Sequence, residues 1–173
     1  MKSRMKFRRA LVGLLDRVVG REAIGQPECP LMLRWTLWAP RRGEEPWFKV
    51  LVHYFPPNVS DRDPHDHPRS FFTFILRGRY FNTEWEDYGG EFTVPTIEMI
   101  DAGRIVYRPA DHTHIVETGD AGCWTLVVMG PLKRPWGFVH LEDMSWWPWK
   151  RYVEEFGGVI RCDAEPDRMG LDL

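Results

Sequence analysis

The sequence predicts an all-β, single-domain barrel flanked by an N-terminal amphipathic helix and a short C-terminal helix. Short runs of aromatic and β-branched residues, separated by Pro, Gly and Asp clusters, begin near residue 31, the texture of an antiparallel sandwich or barrel. Helical periodicity is confined to the two ends. Nine Trp, ten Phe and five Tyr make up 14% of the chain, and such residues favour strands and the walls of apolar cavities. At 173 residues the chain is long enough for one real core. The expected division is a helix and linker over 1–25, a barrel over 26–145, and a helix and tail over 146–173.

Leu11, Leu14, Leu15, Val18 and Val19 recur at helical spacing, with Arg8, Arg9, Asp16 and Arg17 between them, which predicts a helix over 5–19. The expected use of its apolar face is packing on the barrel or in a dimer contact. The basic residues before it make attachment to an anionic membrane surface or a partner the alternative. Strands are expected over 31–39, 47–55, 70–78, 80–86, 103–109, 113–118 and 122–130. The stretch 56–69 is too rich in Pro and Asp to be a strand throughout, so its histidines are expected on a loop entering the next strand. In the segment 145–158, Pro148 opens a short helix and Gly157 with Gly158 stop it, leaving Trp146, Trp147 and Trp149 to cover a barrel face.

The net charge of −2 gives no electrostatic case for nucleic acid, and the basic N-terminal segment carries no nucleic-acid motif. Cys29, Cys123 and Cys162 are odd in number and far apart, without C-x-x-C spacing, which argues against a disulfide framework or zinc ribbon and for a reducing compartment. Asp16 and Arg17 interrupt the apolar stretch that a signal peptide needs, and no other segment approaches the roughly 18 apolar residues of a membrane span. A soluble, cytoplasmic protein is the expectation. No phosphate-cradling glycine loop or Gly-x-Ser-x-Gly elbow is present.

Three histidines carry the chemistry. In His65-Asp66-His67, two imidazoles two residues apart fall on the same side of an extended backbone. A second pair with the same spacing, His112-Thr113-His114, follows after enough strands to return the chain across a barrel. His65, His67 and His114 can therefore converge on one metal ion; the alternative is a polar cavity without metal. Imidazole suits Zn, Fe, Cu and Ni about equally.

At these positions the chain resembles the cupin superfamily, of the RmlC-like double-stranded β-helix or jelly-roll fold. The first cupin motif is matched by His65-x-His67, with Phe71 where the family has Glu, and Gly78 at the closing Gly. The second is matched by Gly103, Pro109 and His114, with Asp111 at the middle Gly and Thr118 at the Asn. The resemblance covers about residues 60–130. It implies a ligand set of three imidazoles without carboxylate, similar to the iron sites of thiol dioxygenases such as cysteine dioxygenase and of diketone-cleaving dioxygenases. The implied cofactor is a divalent metal, Fe(II) first, with Zn, Mn or Ni as alternatives. The implied activity is oxidation of a small polar molecule, against the alternatives of a non-catalytic ligand-binding or partner-binding barrel and a metal-dependent isomerase or epimerase. The resemblance also implies pairing through sheet edges as a homodimer.

Strand alternation carries the inward phase from His67 through Phe71, Thr73 and Ile75, and from His114 through Val116, which predicts a largely apolar floor. His53 and His112 are the candidate acid, base or substrate contacts, His112 also standing as a candidate entrance residue. Arg69, Tyr80, Tyr107 and Arg108 are candidate donors to a carboxylate or phosphate. Asp63, Asp66 and Asp111 are expected as turn formers, with orientation of an imidazole N–H as the alternative.

Overall fold

The computed structural model describes residues 12–157 apart from 18, 27–28, 86, 89–90 and 93–94, with backbone alone at 26, 29, 42, 87–88 and 91–92. Residues 12–17 are helical, here α1. The strands follow in order: β1 Glu22–Gln26, β2 Cys29–Trp38, β3 Arg41–Arg42, β4 Glu45–Pro46, β5 Lys49–Phe55, β6 Phe71–Trp85, β7 Asp87–Tyr88, β8 Glu91–Phe92, β9 Thr96–Asp101, β10 Ile105–Arg108, β11 Thr113–Met129, β12 Gly137–His140 and β13 Ser145–Pro148. Helix α2, Trp149–Phe156, closes the described chain. No helix among the described residues is long and apolar enough to cross a membrane.

A seven-stranded antiparallel sheet in the order β1-β2-β5-β11-β6-β10, with β9 also pairing β6, forms the body of the molecule. The expected strands 70–78 and 80–86 are one continuous strand, β6, and 113–118 and 122–130 are likewise one, β11. The two long strands stay paired past their midpoints by a register shift in which residues 119–122 bulge out opposite Arg79 and Cys123 resumes the ladder against Gly78. Gly78 has φ +82°, and a Cβ there would lie 2.1 Å from the Gly122 carbonyl oxygen. Only glycine fits a left-handed position so close to another backbone. A second register shift, which leaves Leu76 unpaired between Ile75 and Arg77, resets the inward phase of β6, from Phe71, Thr73 and Ile75 before it to Tyr80 and Asn82 after it.

The interior is apolar between the inward faces: Phe55, Ile75, Ile100, Val106, Val116 and Cys123 form one buried cluster, and Leu51, Phe71 and Val127 another. On the opposite face of β2, β5 and β11, Leu33, Trp35, Val52, Tyr54 and Trp124 pack under Val12 and Leu15 of α1. This is the barrel packing expected of that helix, tied by the Trp35 indole N–H to Asp16 at 2.9 Å. Leu14, expected on its apolar face, is exposed instead. Leu11, Val18, residues 5–10 and Cys162 lie outside the described residues.

The C-terminal layer is a hairpin, β12–β13, running into α2. Pro148 occupies the N-cap, and Gly157, at φ +75°, takes the left-handed C-cap that glycine favours. The expected helix over 145–158 is thus half strand: Ser145–Pro148 pairs with Gly137–His140, because the tryptophans of this segment alternate across a sheet. Trp149 stacks on Trp136 at 5.7 Å between ring centroids, and Tyr152 stacks on Phe138 at 4.4 Å.

Candidate metal centre

The loop 56–69 delivers His65 and His67 because its acidic residues anchor it on both sides. Asp66 accepts the Gly137 backbone N–H at 2.7 Å, the Arg134 guanidinium at 2.7 Å and the Trp146 indole N–H at 3.1 Å. Asp63 accepts the Tyr152 hydroxyl and, at 3.4 Å, the Leu141 N–H. Neither turns an imidazole; both fasten the loop to the C-terminal hairpin and α2. Asp111 is exposed and its carbonyl accepts the Thr113 hydroxyl. That is the turn-forming role expected of it.

Backbone pairing then sets the histidines against one another. His65 and His114 exchange N–H···O bonds at 2.9 and 3.0 Å, and the His67 N–H bonds the Ala110 carbonyl at 2.9 Å. Directly paired residues on antiparallel strands project to the same face. The rings of His65, His67 and His114 accordingly lie 4.8–5.0 Å apart, and one ligating atom from each falls within 4.8 Å of the others. His67 Nε2 and His114 Nε2 are 2.9 Å apart. Ligands about 2.1 Å from an ion and at right angles to each other stand roughly 3 Å apart, so this pair has the spacing of neighbouring ligands on one metal.

The protonation states fit the same purpose. Desolvation, followed by the neighbouring His65, His67, His112 and Arg108, holds His114 well below the ordinary imidazole pKa. Desolvation and the charges of His65, His112 and His53 do the same for His67. Both rings are neutral at physiological pH and offer a lone pair. Asn82 fixes which nitrogen does so for His114: its Oδ1 lies 2.5 Å from Nδ1 and accepts that N–H, leaving Nε2 to face His67. Asn82 is itself held by donating from Nδ2 to Glu84 Oε1 at 2.7 Å. Asp61 stands 3.5 Å from His65 Nδ1 and accepts the Val116 N–H at 2.8 Å. An imidazole set backed by a carboxamide and a carboxylate is the arrangement that orients metal ligands. The donor set therefore fits a divalent ion.

The other expected site residues divide. Phe71 is buried with its ring 4.6 Å from His67, an apolar wall at the position where a carboxylate ligand was missing from the sequence. Thr73 is buried on the inward phase. His53 is buried, its Nε2 without a hydrogen-bond partner among the described residues, and burial with the Arg34 charge lowers its pKa to about 3. His112 lies beside His114, ring centroids 4.8 Å apart, its Nε2 3.9 Å from Glu84 and without a hydrogen-bond partner among the described residues. Burial and then Arg108 lower its pKa to about 4.

Two expected pocket residues are elsewhere. Tyr107 is half-exposed against Phe72 on the outer face, because Val106 and Arg108 take the inward phase of β10. Arg69 is buried but already engaged, donating to the Pro46 and Gly130 carbonyls at 2.8 Å each and to Glu45 at 3.1 Å. It clamps strand ends and has no free fork for a substrate anion. Tyr80 is buried, with its phenol pKa raised by desolvation. Arg108 pairs with Glu84 at 3.1 Å beside His112.

Asn82, Asp61 and Glu84 were not singled out from the sequence. The signal for Asn82 and Glu84 was there: a glycine inside a strand marks a bulge, and restarting the alternation after Gly78 puts Tyr80, Asn82 and Glu84 in phase. Asp61 gave no local signal, since only the tertiary approach of the loop to β11 selects it among the loop's acidic residues.

No protein-family profile matches the chain, and no curated protein does. Solved structures do. The polyketide cyclase RemF from Streptomyces resistomycificus superposes with a TM-score of 0.54 at 21% identity, over 80% of this chain and 89% of that one. A cupin-2 domain from Rhodospirillum rubrum gives 0.53 at 14% identity, over 72% and 78%. The DMSP lyase DddQ from Ruegeria pomeroyi gives 0.47 at 20% identity over 63% of this chain, which spans about half, 52%, of that enzyme. The antiparallel barrel and the superpositions on RemF and the cupin-2 domain agree with the motif spacing: the chain has a cupin-like fold.

Proposed function

We propose that the chain is a metalloenzyme holding one divalent ion on His65, His67 and His114, and that it works as a mononuclear non-haem iron(II) dioxygenase on a small polar molecule. The observation that carries this reading is the convergence of three imidazoles with Phe71 where a fourth, anionic ligand would stand. Such a donor set leaves the charge of the ion uncompensated and positions open for substrate and oxygen. When bound, ferrous iron supplies the open coordination sites and one-electron chemistry that a dioxygenase uses.

The protein's own part is to orient and to exclude. Asn82 locks the His114 tautomer, and Phe71 keeps water from one side of His67. His112 carries a buried Nε2 with no hydrogen-bond partner among the described residues at the edge of the triad, where it can meet a polar group of the substrate. With pKa values near 3 and 4, His53 and His112 are neutral at pH 7 and weak as bases.

Oxygen uptake by iron-loaded protein, screened over thiols, diketones and small acids against His67→Ala, tests the reading. Turnover that is lost in the variant supports it. A protein that purifies without metal and gains none overturns it, and metal binding without turnover points to a ligand-binding barrel instead.

A further inference from the structure

One rung of the sheet runs across Glu22 on β1, Arg34 on β2, His53 on β5, Thr125 on β11 and Ile75 on β6. Paired residues of neighbouring strands share a face, and at β5 and β11 that face is the barrel interior. Leu51 and Phe55 flank His53 on its side of β5, and Cys123 and Val127 flank Thr125, all of them in the buried interior clusters. Val52, Tyr54 and Trp124 turn the other way, under α1. His53 is 8% and Thr125 1% exposed. Neither His53 Nε2 nor Thr125 Oγ1 has a hydrogen-bond partner among the described residues, each other included. Buried polar atoms are nearly always paired, and these two, neighbours on one rung, present unmet hydrogen-bonding capacity to the interior. The candidate metal centre is near. Leu51 shares a cluster with Phe71, whose ring stands 4.6 Å from His67, and the charge of a protonated His53 is among those felt by His67.

We propose that His53 and Thr125 are specificity-determining contacts for the substrate, binding an uncharged group that both donates and accepts hydrogen bonds, a hydroxyl or a primary carboxamide, at the end away from the triad. Residue chemistry sets that class. A neutral imidazole offers Nε2 as donor or acceptor according to its tautomer, and a threonine hydroxyl offers both, so a group with both capacities satisfies the pair in either tautomer. A carboxylate or an ammonium would give up its hydration for two uncharged contacts, which do not offset that loss. The neighbouring guanidiniums leave this balance as it is, because their charges are met: Arg34, on the same rung, holds Glu22 at 2.8 and 3.1 Å, and Arg108, beside His112, stands 3.1 Å from Glu84. The substrate is that of the metal reading above, on which this assignment of its far end rests; binding by the pair itself needs no metal.

Nuclear magnetic resonance of the chain, metal-free and loaded with Zn(II), titrated with acetamide and with its anionic isostere acetate, tests the pair. Acetamide is expected to shift the His53 Nε2 and Thr125 methyl resonances saturably in both forms, with a dissociation constant on the order of 10 mM for so small a probe. Acetate should leave both resonances in place in the metal-free chain. Thr125→Val and His53→Phe should each weaken acetamide by about 10-fold or more, the loss of one hydrogen bond in a buried site. Both should melt no lower than the wild type, since each exchanges an unpaired buried polar group for an apolar one of similar shape. Metal uptake without an acetamide shift overturns the pair alone, whereas an acetamide shift in a chain that takes up no metal supports the pair and refutes the metal reading. Acetate moving the same resonances as far in the metal-free chain, or variants that bind acetamide as the wild type does, would also overturn the pair.

Discussion

His65 and His114 exchange both of their backbone hydrogen bonds, each N–H reaching the other's carbonyl at 2.9–3.0 Å. The candidate metal centre is thereby built on a rung of the sheet: the loop carrying His65 and His67 is paired to the strand carrying His114 by the backbone alone. A site so preorganised has little ordering entropy left to lose on binding. Its weak point is the orientation of the rings, which rests on their polar partners.

Asn82→Leu is therefore expected to lower metal affinity by about 10- to 100-fold, the usual cost of losing a group that orients a ligating histidine. Competition against a chromophoric chelator measures it. Because all three imidazoles remain, stoichiometry at saturating metal should stay that of the wild type; unchanged affinity would remove Asn82 from the account.

Asp66 sits between two ligands yet serves the fold, with Gly137, Arg134 and Trp146 all donating to its buried carboxylate. Asp66→Ala leaves these donors without an acceptor and should cost about 3 kcal/mol in urea unfolding. Desolvation raises the Asp66 pKa despite those donors.

Acid should weaken the metal-free protein partly through His53. Its folded pKa of about 3 lies below the ordinary 6.5. Below pH 6.5 the unfolded chain takes up a proton that the folded chain refuses until near pH 3. This contribution is absent above pH 6.5, and stability falls across the window by up to about 1.4 kcal/mol per pH unit for that one proton. His53→Phe should flatten the slope of unfolding free energy against pH by up to one proton between pH 6 and 4. An unaltered slope would mean that the imidazole is solvated in the folded state.

Gly78→Ala should destabilise strongly, by about 3 kcal/mol or more, since the added methyl would stand 2.1 Å from the Gly122 carbonyl oxygen at a φ of +82°. Thermal unfolding measures this. Tolerance of alanine would show that the bulge can relax.

Much of the site was legible before the fold was known, because His-x-His spacing and the glycine, proline and histidine positions are local features that translate directly into sheet geometry. The barrel likewise followed from the spacing of short aromatic runs. What escaped reading were features decided at a distance. β6 and β11 each read as two strands, since the glycines that suggest a break serve instead to bend a continuous ladder. Arg69 read as a free cation because nothing local reveals that Pro46 and Gly130 turn their carbonyls toward it. Tyr107 was misplaced by a one-residue phase, which in a strand exchanges interior for surface.

The most direct test of the central claim is elemental analysis of the purified chain beside His67→Ala, each as isolated and after anaerobic loading with Fe(II) or Zn(II). The account predicts one tightly held divalent ion per wild-type chain and its loss in a variant that remains folded. A wild type that neither carries nor retains metal, or a variant that binds it equally well, would contradict the assignment of His65, His67 and His114 as a metal centre.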